Sequence, residues 1–233
     1  MDATSIKKFV GFAAAEEYIK SGMKVGLGTG TTAIWCARRV GELLKQGKIA
    51  NILAVPTSTQ TELECQQLGI PLRTLNDPDI GGELDIAIDG ADEVDSALCL
   101  TKGGGGALLI EKIVAYAAKR FIVVIDASKL VSHLGITFPI PLEVLRQGRL
   151  PVSKACEALG ANPEVRMAVK KMGPVITDNG NILLDLTFSH PFDPKEMEKA
   201  LQLIPGVMGN GIFARVRPIV MVGHPDGKIE TLT

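Results

Sequence analysis

The sequence predicts an α/β protein: a three-layer, Rossmann-like domain on a parallel sheet, carrying a smaller inserted α+β domain of ferredoxin-like type. Three observations carry that prediction. Short apolar runs at 24–28, 52–55, 84–88 and 121–125 alternate with stretches of helical periodicity, as βαβ units do when helices cover both faces of a sheet. From Phe138 onward, Pro139, Pro141 and Pro151 interrupt the chain, and strands around an Asp178, Asn179, Gly180 turn replace the alternation. The 233 residues, 46% of them hydrophobic, suffice for one large core and one small one. The expected division is 1–138 with 206–233 as the large domain, and 139–205 as the small one.

Residues 5–20 repeat Ile6, Phe9, Val10, Ala13 and Ala14 at three and four positions beside Lys and Glu, which predicts an amphipathic helix. Lys7 and Lys8 are in reach of an anion, although either alone reads as a solvated charge. The strand at 24–28 runs into Gly28, Thr29, Gly30, Thr31 and Thr32, and then a helix to about residue 44. This turn lacks the Walker lysine, and Gly28, Gly30 and Ala33 complete G-x-G-x-x-G only with alanine in the last place. No acidic residue ends the next strand, where a dinucleotide's ribose would be held; Pro56, Thr57 and Ser58 stand there instead. A dinucleotide stays open on this pattern, but hydroxyls suit a sugar phosphate better. Thr31 and Thr32 read equally as helix caps and as anion ligands, and one residue can do both.

A helix at 59–68, a short strand at 71–75 and a loop at 76–82 lead into the strand at 84–88. That strand delivers Asp89 and Asp92 into a loop where Gly90 and Ala91 leave no large side chain to obstruct a ligand. Lys102 follows, then Gly103, Gly104, Gly105 and Gly106, then a helix-favouring run at 107–119 with Glu111 in its first turns. Four glycines cost folding entropy and pack nothing. Their use is to bring backbone N–H groups against an anion at the positive end of a helix. Two acids, a base, a cation and a glycine cradle within 24 residues read as an active site. Beyond the strand at 121–125, Asp126, Ser128 and Lys129 fall at the same carboxyl rim as Gly28, Ser58 and Asp89, where parallel sheets bind ligands. The small domain is expected to hold a helix at 152–159, strands at 165–169, 175–176 and 182–185, and a helix at 194–203. The tail, 207–232, has two or three strands and a His224, Pro225, Asp226, Gly227 turn, and is expected back on the large domain.

A formal charge of −1 and a pI near 6.3 provide no basic field for nucleic acid. No apolar run approaches the roughly 20 residues that cross a bilayer, and the N-terminus lacks a signal peptide's apolar core, so a cytoplasmic, membrane-free protein is expected. Cys36, Cys65, Cys99 and Cys156 form no C-x-x-C pair and read as reduced thiols. His133, His190 and His224 lack metal-ligand spacing, so no metal is expected.

DGADE at 89–93, followed by KGGGGAL at 102–108 and EK at 111–112, resembles the signature of the ribose-5-phosphate isomerase type A family. GLGTGTTA at 26–33, PTS at 56–58, DASK at 126–129, FPIPLEV at 138–144, VITDNGN at 175–181, IPGVMGNGIFA at 204–214 and GHPDG at 223–227 follow in family order. The resemblance therefore covers nearly the whole chain. One departure is Ile110, where the family commonly has Arg directly before the catalytic Glu. The resemblance implies an aldose–ketose isomerase of the pentose phosphate pathway, a homodimer or homotetramer that uses neither metal nor organic cofactor. It would interconvert ribose 5-phosphate and ribulose 5-phosphate through an enediolate. Glu111 would be the base, Lys102 and the glycine N–H groups would stabilise the enediolate, and Asp89 and Asp92 would orient hydroxyls and move oxygen-bound protons. In the family, residues matching Thr29, Gly30, Thr31 and Thr32 contact substrate; Gly90, Ala91 and Lys129 are expected there with them. Two other classes stay open at this point: a sugar-phosphate sensor, which would lack a base, and another sugar-phosphate enzyme such as a lactonase or deaminase.

Overall fold

In the computed structural model, which describes residues 1–233, the chain forms two units. The first comprises Met1–Ala91, Ile113–Lys129 and Val216–Thr233, and the second Asp92–Lys112 and Leu130–Arg215. The first unit's sheet has the strand order Ile229–Leu232, Ile219–Gly223, Phe121–Asp126, Ile86–Asp89, Lys24–Leu27, Leu53–Pro56. Every neighbouring pair is parallel except the first, a hairpin whose turn is closed by the Gly227 N–H on the His224 carbonyl.

Alternation along the strand Lys24–Leu27 shows how the layers form. Val25 and Leu27 join a cluster with Val10 and Ala14 of the helix Ala3–Tyr18 and Ala37 and Val40 of the helix Ala33–Lys45. Gly26 points to the opposite face, where an added Cβ would lie 2.4 Å from Val114 Cγ1 of the helix Leu108–Ala117. Helices thus cover both faces of the sheet, as the continuous apolar strands require. Each fully buried Val, Leu or Ile there stabilises the fold by about 1.5–3 kcal/mol.

In the second unit, the strand Ile140–Val144, helix Arg149–Ala158, strands Ala161–Val165 and Ile182–Phe188, helix Pro194–Gln202 and strand Val207–Asn210 follow one another. The sheet order is Val207–Asn210, Ile140–Val144, Ile182–Phe188, Ala161–Val165, antiparallel throughout, which is the ferredoxin-like β-α-β-β-α-β arrangement. Register sets the core: Ile140 pairs with Leu186, Leu142 with Leu184 and Val144 with Ile182, so all six share the face that packs on Val152, Cys156 and Leu201. The Asp193 carboxylate caps the helix Pro194–Gln202 by accepting the N–H groups of Lys195 and Glu196.

The division differs from the expected one, because the second unit takes in 92–112, 130–138 and 206–215 as well as 139–205. The physical cause is a third sheet, in the order Ile212–Phe213, Leu100–Thr101, Glu93–Val94. Its two-residue strands are too short to show a period. The tail divides for the same reason: Val207–Asn210 and Ile212–Phe213 belong to the second unit, and only Ile219–Gly223 and Ile229–Leu232 return to the first. The strand expected at 71–75 is a single bridge between Leu72 and Ala54, and that at 175–176 is a bridge between Ile176 and Ile182. The strand expected at 165–169 lies earlier, at Ala161–Val165. All four cysteines are free and buried. No helix is long and apolar enough to cross a membrane.

Candidate active site

In the first unit, parallel register brings Gly28, Ser58, Asp89 and Asp126 to the carboxyl ends of four strands. Asp89 is 3% exposed. Its Oδ1 accepts the N–H groups of Thr29 at 3.1 Å and Gly90 at 2.7 Å. A Cβ at Gly28 would lie 2.1 Å from that oxygen, so only glycine lets the carboxylate rest against this backbone. The Thr29 hydroxyl lies 2.7 Å from Thr57 Oγ1, 2.6 Å from Ser58 Oγ and 3.2 Å from Thr61 Oγ1, and Thr61 donates to the Gly28 carbonyl at 2.9 Å. Thr57 and Ser58 therefore fix the turn at Gly28 and Thr29 from below. Gly90 and Ala91 are half-buried beside Asp89.

Thr32 is the N-cap residue of the helix Ala33–Lys45 but makes no side-chain cap hydrogen bond. Thr31 is exposed, and its Oγ1 accepts from Lys7 Nζ at 3.0 Å. Capping thus does not account for these hydroxyls. The Gly30 N–H donates to Gln60 Oε1 at 3.3 Å. Lys7, one of two lysines that local pattern leaves ambiguous, comes to this spot through packing of the helix Ala3–Tyr18 on the helix Ala33–Lys45. A cation, hydroxyls and a helix N-terminus together have the chemistry to hold an anion. Lys129 is half-buried at the end of the 3₁₀ turn Ala127–Lys129 beyond Asp126, whose Oδ1 accepts the N–H and hydroxyl of Ser128.

The second unit holds Asp92, Lys102 and Glu111. Asp92 donates its N–H to the Thr101 carbonyl at 2.7 Å, and its Oδ2 accepts the Gly104 N–H at 2.8 Å. A Cβ at Gly104 would stand 2.6 Å from Asp92 Oδ1 and 3.0 Å from Phe138 Cζ. Lys102 leaves the strand Leu100–Thr101 with its N–H on the Gly211 carbonyl at 2.8 Å. Its Nζ lies 3.4 Å from Glu111 Oε2; the two side chains are 3% and 5% exposed. The Phe213 ring centroid is 5.6 Å from the same ammonium. Withdrawal from water strengthens the attraction within such a pair and raises the cost of removing either member. A carboxylate beside a fixed cation is suited to taking a carbon-bound proton while charge develops on a neighbouring oxygen.

The glycine run differs in part from the expected cradle. The Gly104 N–H binds Asp92 and the Gly106 N–H binds the Gly103 carbonyl at 2.9 Å, so two of the four amides organise the protein itself. Gly103 is buried and Gly105 exposed within the same turn, and Ile110 is half-buried at the start of the helix. Lys112 turns to structural work: its ammonium donates to Glu198 Oε1 at 2.8 Å, Asn210 Oδ1 at 3.2 Å and the Ile212 carbonyl at 2.6 Å. Burial pushes that lysine down to about 8 against the pull of Glu198. Glu93 is fully buried and accepts the N–H groups of Gly135, Thr137 and Phe138 and the hydroxyls of Thr137 and Thr101. Burial alone would raise its pKa, but the bonds from Gly135, Thr137 and Thr101 hold it below the ordinary carboxylate range. No group of three or more His, Cys, Asp or Glu side chains is placed to hold a metal ion.

Comparison with known proteins gives the family of the chain. Residues 53–227 match the family model described as Ribose 5-phosphate isomerase A (phosphoriboisomerase A). The chain is 47% identical over 239 residues to a ribose-5-phosphate isomerase A of Treponema denticola, covering all of both chains. Against the protein of that name from Thermosynechococcus vestitus it is 51% identical, covering 96% of this chain and 93% of the relative. A solved structure of D-ribose-5-phosphate isomerase in complex with phospho-erythronic acid matches with a TM-score of 0.94 at 43% identity, covering 100% of this chain and 99% of that one. The family model reaches from the second strand of the parallel sheet to its last hairpin, and the full-length relatives extend the match to both ends: the chain belongs to the ribose 5-phosphate isomerase A family.

Proposed function

We propose that the protein interconverts ribose 5-phosphate and ribulose 5-phosphate, with Glu111 as the base that carries the proton between C2 and C1. The observation that supports this reading is the buried pair of Glu111 and Lys102 at 3.4 Å, in a chain of this family. Starting from the open-chain aldose, Glu111 takes the C2 proton. The C–H electron pair becomes the C1=C2 bond, and the C1 carbonyl π pair moves to oxygen as the enediolate. Returning the proton to C1 and forming the C2 carbonyl gives the ketose. Lys102 offsets the oxyanion charge, while Asp92, oriented by the Gly104 N–H, and Asp89, oriented by those of Thr29 and Gly90, move protons between substrate oxygens and help open the ring. Lys7, Thr31, Thr32 and Lys129 are assigned to the phosphate end, with Gly30 and Thr29 shaping that turn. The phosphorylated sugar acid bound by the solved relative supports a sugar phosphate as the ligand.

The base and the cation suffice for enolisation, so no metal step is proposed. The protein is further proposed to act as a homodimer or homotetramer, which the exposed apolar side chains of Met167, Val169 and Met172 support; light scattering measures this. The direct test is an assay of purified protein with ribose 5-phosphate and EDTA. Ketose formation unchanged by the chelator is expected. Absence of ketose overturns the activity, and a loss restored by a divalent metal overturns the metal-free chemistry. Binding without turnover would favour a sensor, and a lactonase or deaminase would likewise leave the aldose unconverted.

A further inference from the structure

Arg166 directly follows the strand Ala161–Val165 and has no place in the chemistry assigned above. Its side chain is 16% exposed, and its Nε donates to Asp185 Oδ2 at 2.8 Å while Nη2 donates to Oδ1. Both partners are set by one sheet: Asp185 lies opposite Glu164, and the Arg166 N–H donates to the Leu183 carbonyl at 3.0 Å. The two-pronged pair fixes the plane of the guanidinium. Nη1 is then directed at the carbonyl oxygens of Gly103 and Gly104, each 3.0 Å away.

A trans peptide is planar, with its C=O and N–H pointing in opposite directions. The carbonyl of Gly103 faces Arg166, so the N–H of the same peptide, which belongs to Gly104, faces away from it. That N–H is the one that donates to Asp92 Oδ2 at 2.8 Å. A peptide flanked by glycines has no side chain to select one orientation over its flipped alternative. We infer that Arg166, backed by Asp185, is a positioning residue for the isomerisation, holding the peptide between Gly103 and Gly104 in the orientation whose N–H anchors the Asp92 carboxylate. The inference rests on the reading of Asp92 as a group that acts on the substrate. A residue that only stapled the glycine turn to the sheet would affect stability without acting through Asp92.

Steady-state kinetics on ribose 5-phosphate, with melting curves for each variant, separate the two roles. Arg166→Met is expected to lower kcat about 10- to 100-fold with KM within about threefold, the scale seen when a partner that orients a functional group is removed. Arg166→Lys keeps the charge but not the fork and should recover only part of that loss. Asp185→Asn should fall between them. In an Asp92→Asn background, Arg166→Met should lower kcat by less than about twofold more, because its effect passes through the missing carboxylate. A single variant with kcat within twofold of wild type, or losses that multiply in full in the double variant, overturns the inference. Wild-type turnover in Asp92→Asn alone overturns the underlying reading, and the inference with it. Should Arg166→Met fail to fold, Arg166→Lys and Asp185→Asn carry the same comparison against Asp92→Asn.

Discussion

The rim of the first unit and the glycine turn of the second both gather polar side chains, but they hold them differently. At the rim, the hydroxyls of Thr29, Thr57, Ser58 and Thr61 satisfy one another, and Thr31 and Lys7 meet near solvent. At the glycine turn, Lys102 and Glu111 are withdrawn from water and Asp92 is tied to a backbone amide. Neutral donors and a half-buried lysine suit a charged group that must arrive and leave. Buried charges in fixed positions suit charge that appears only during proton transfer. The contrast implies a division of labour: changes to the rim hydroxyls and Lys7 should move KM, and changes at the glycine turn should move kcat, with the buried rim carboxylate Asp89 grouped with the latter.

The largest effect, and the sharpest break if absent, belongs to Glu111→Gln. Turnover should fall about 10²–10⁴-fold with little change in KM. The same change takes a carboxylate from beside the buried Lys102 ammonium, so unfolding free energy should drop by about 3–5 kcal/mol. Adding Lys102→Met should restore the melting temperature and not the turnover, which an assay and a thermal melt decide together. Gly104→Ala comes next: its Cβ would meet Asp92 Oδ1 at 2.6 Å, and a shift of the carboxylate by about 1 Å to relieve that contact should lower kcat by about 10²-fold. Unchanged kcat would mean that the placement of Asp92 does not matter to the chemistry.

Glu93→Gln tests the support rather than the chemistry. It should cost about 2 kcal/mol at neutral pH, because hydrogen bonds to a charged acceptor are weakened and an N–H group is turned toward other donors. The folded-state pKa lies below the unfolded value, so Glu93 contributes stability that is fully present above the unfolded pKa and lost as pH falls through the folded one. The gap between wild type and variant should therefore be constant near neutrality and close in acid, below about 4.5, in urea melts taken across pH. A gap unchanged in strong acid would contradict this. The smallest effect is expected at the rim: Thr31→Val with Thr32→Val should raise KM about tenfold, near the value of one charge-assisted hydrogen bond, and barely change the melting temperature. A collapse of stability with KM unchanged would make both threonines structural.

Much of this was legible in the sequence where the signal is local. Strands such as Phe121–Asp126 are buried on both faces and read as unbroken apolar runs. The helix Thr59–Leu68 begins at Ser58, which caps the Thr61 N–H, and ends at Gly69 with φ of 70°, both visible as residue types. Asp89, Asp92, Lys102, the glycines and Glu111 are close together in the chain. What the sequence did not reveal depends on contacts between distant segments. Arg166 meets a carbonyl 63 residues away, Lys112 meets Glu198 86 residues away, and Lys7 reaches Thr31 only through the packing of two helices. The strands Glu93–Val94 and Leu100–Thr101 are shorter than any usable period, so the boundary of the second unit at Asp92 left no pattern to read.

The central claim, that Glu111 takes the carbon-bound proton, is tested most directly by solvent-deuterium exchange at C2 of ribose 5-phosphate. Exchange reports C–H abstraction even when ring opening or product release limits net turnover. Glu111→Gln that is folded and still binds the sugar phosphate should lose both ketose formation and exchange at C2. Exchange at a near wild-type rate in that variant would contradict the account and move the base elsewhere, with Asp89 and Asp92 the first to test.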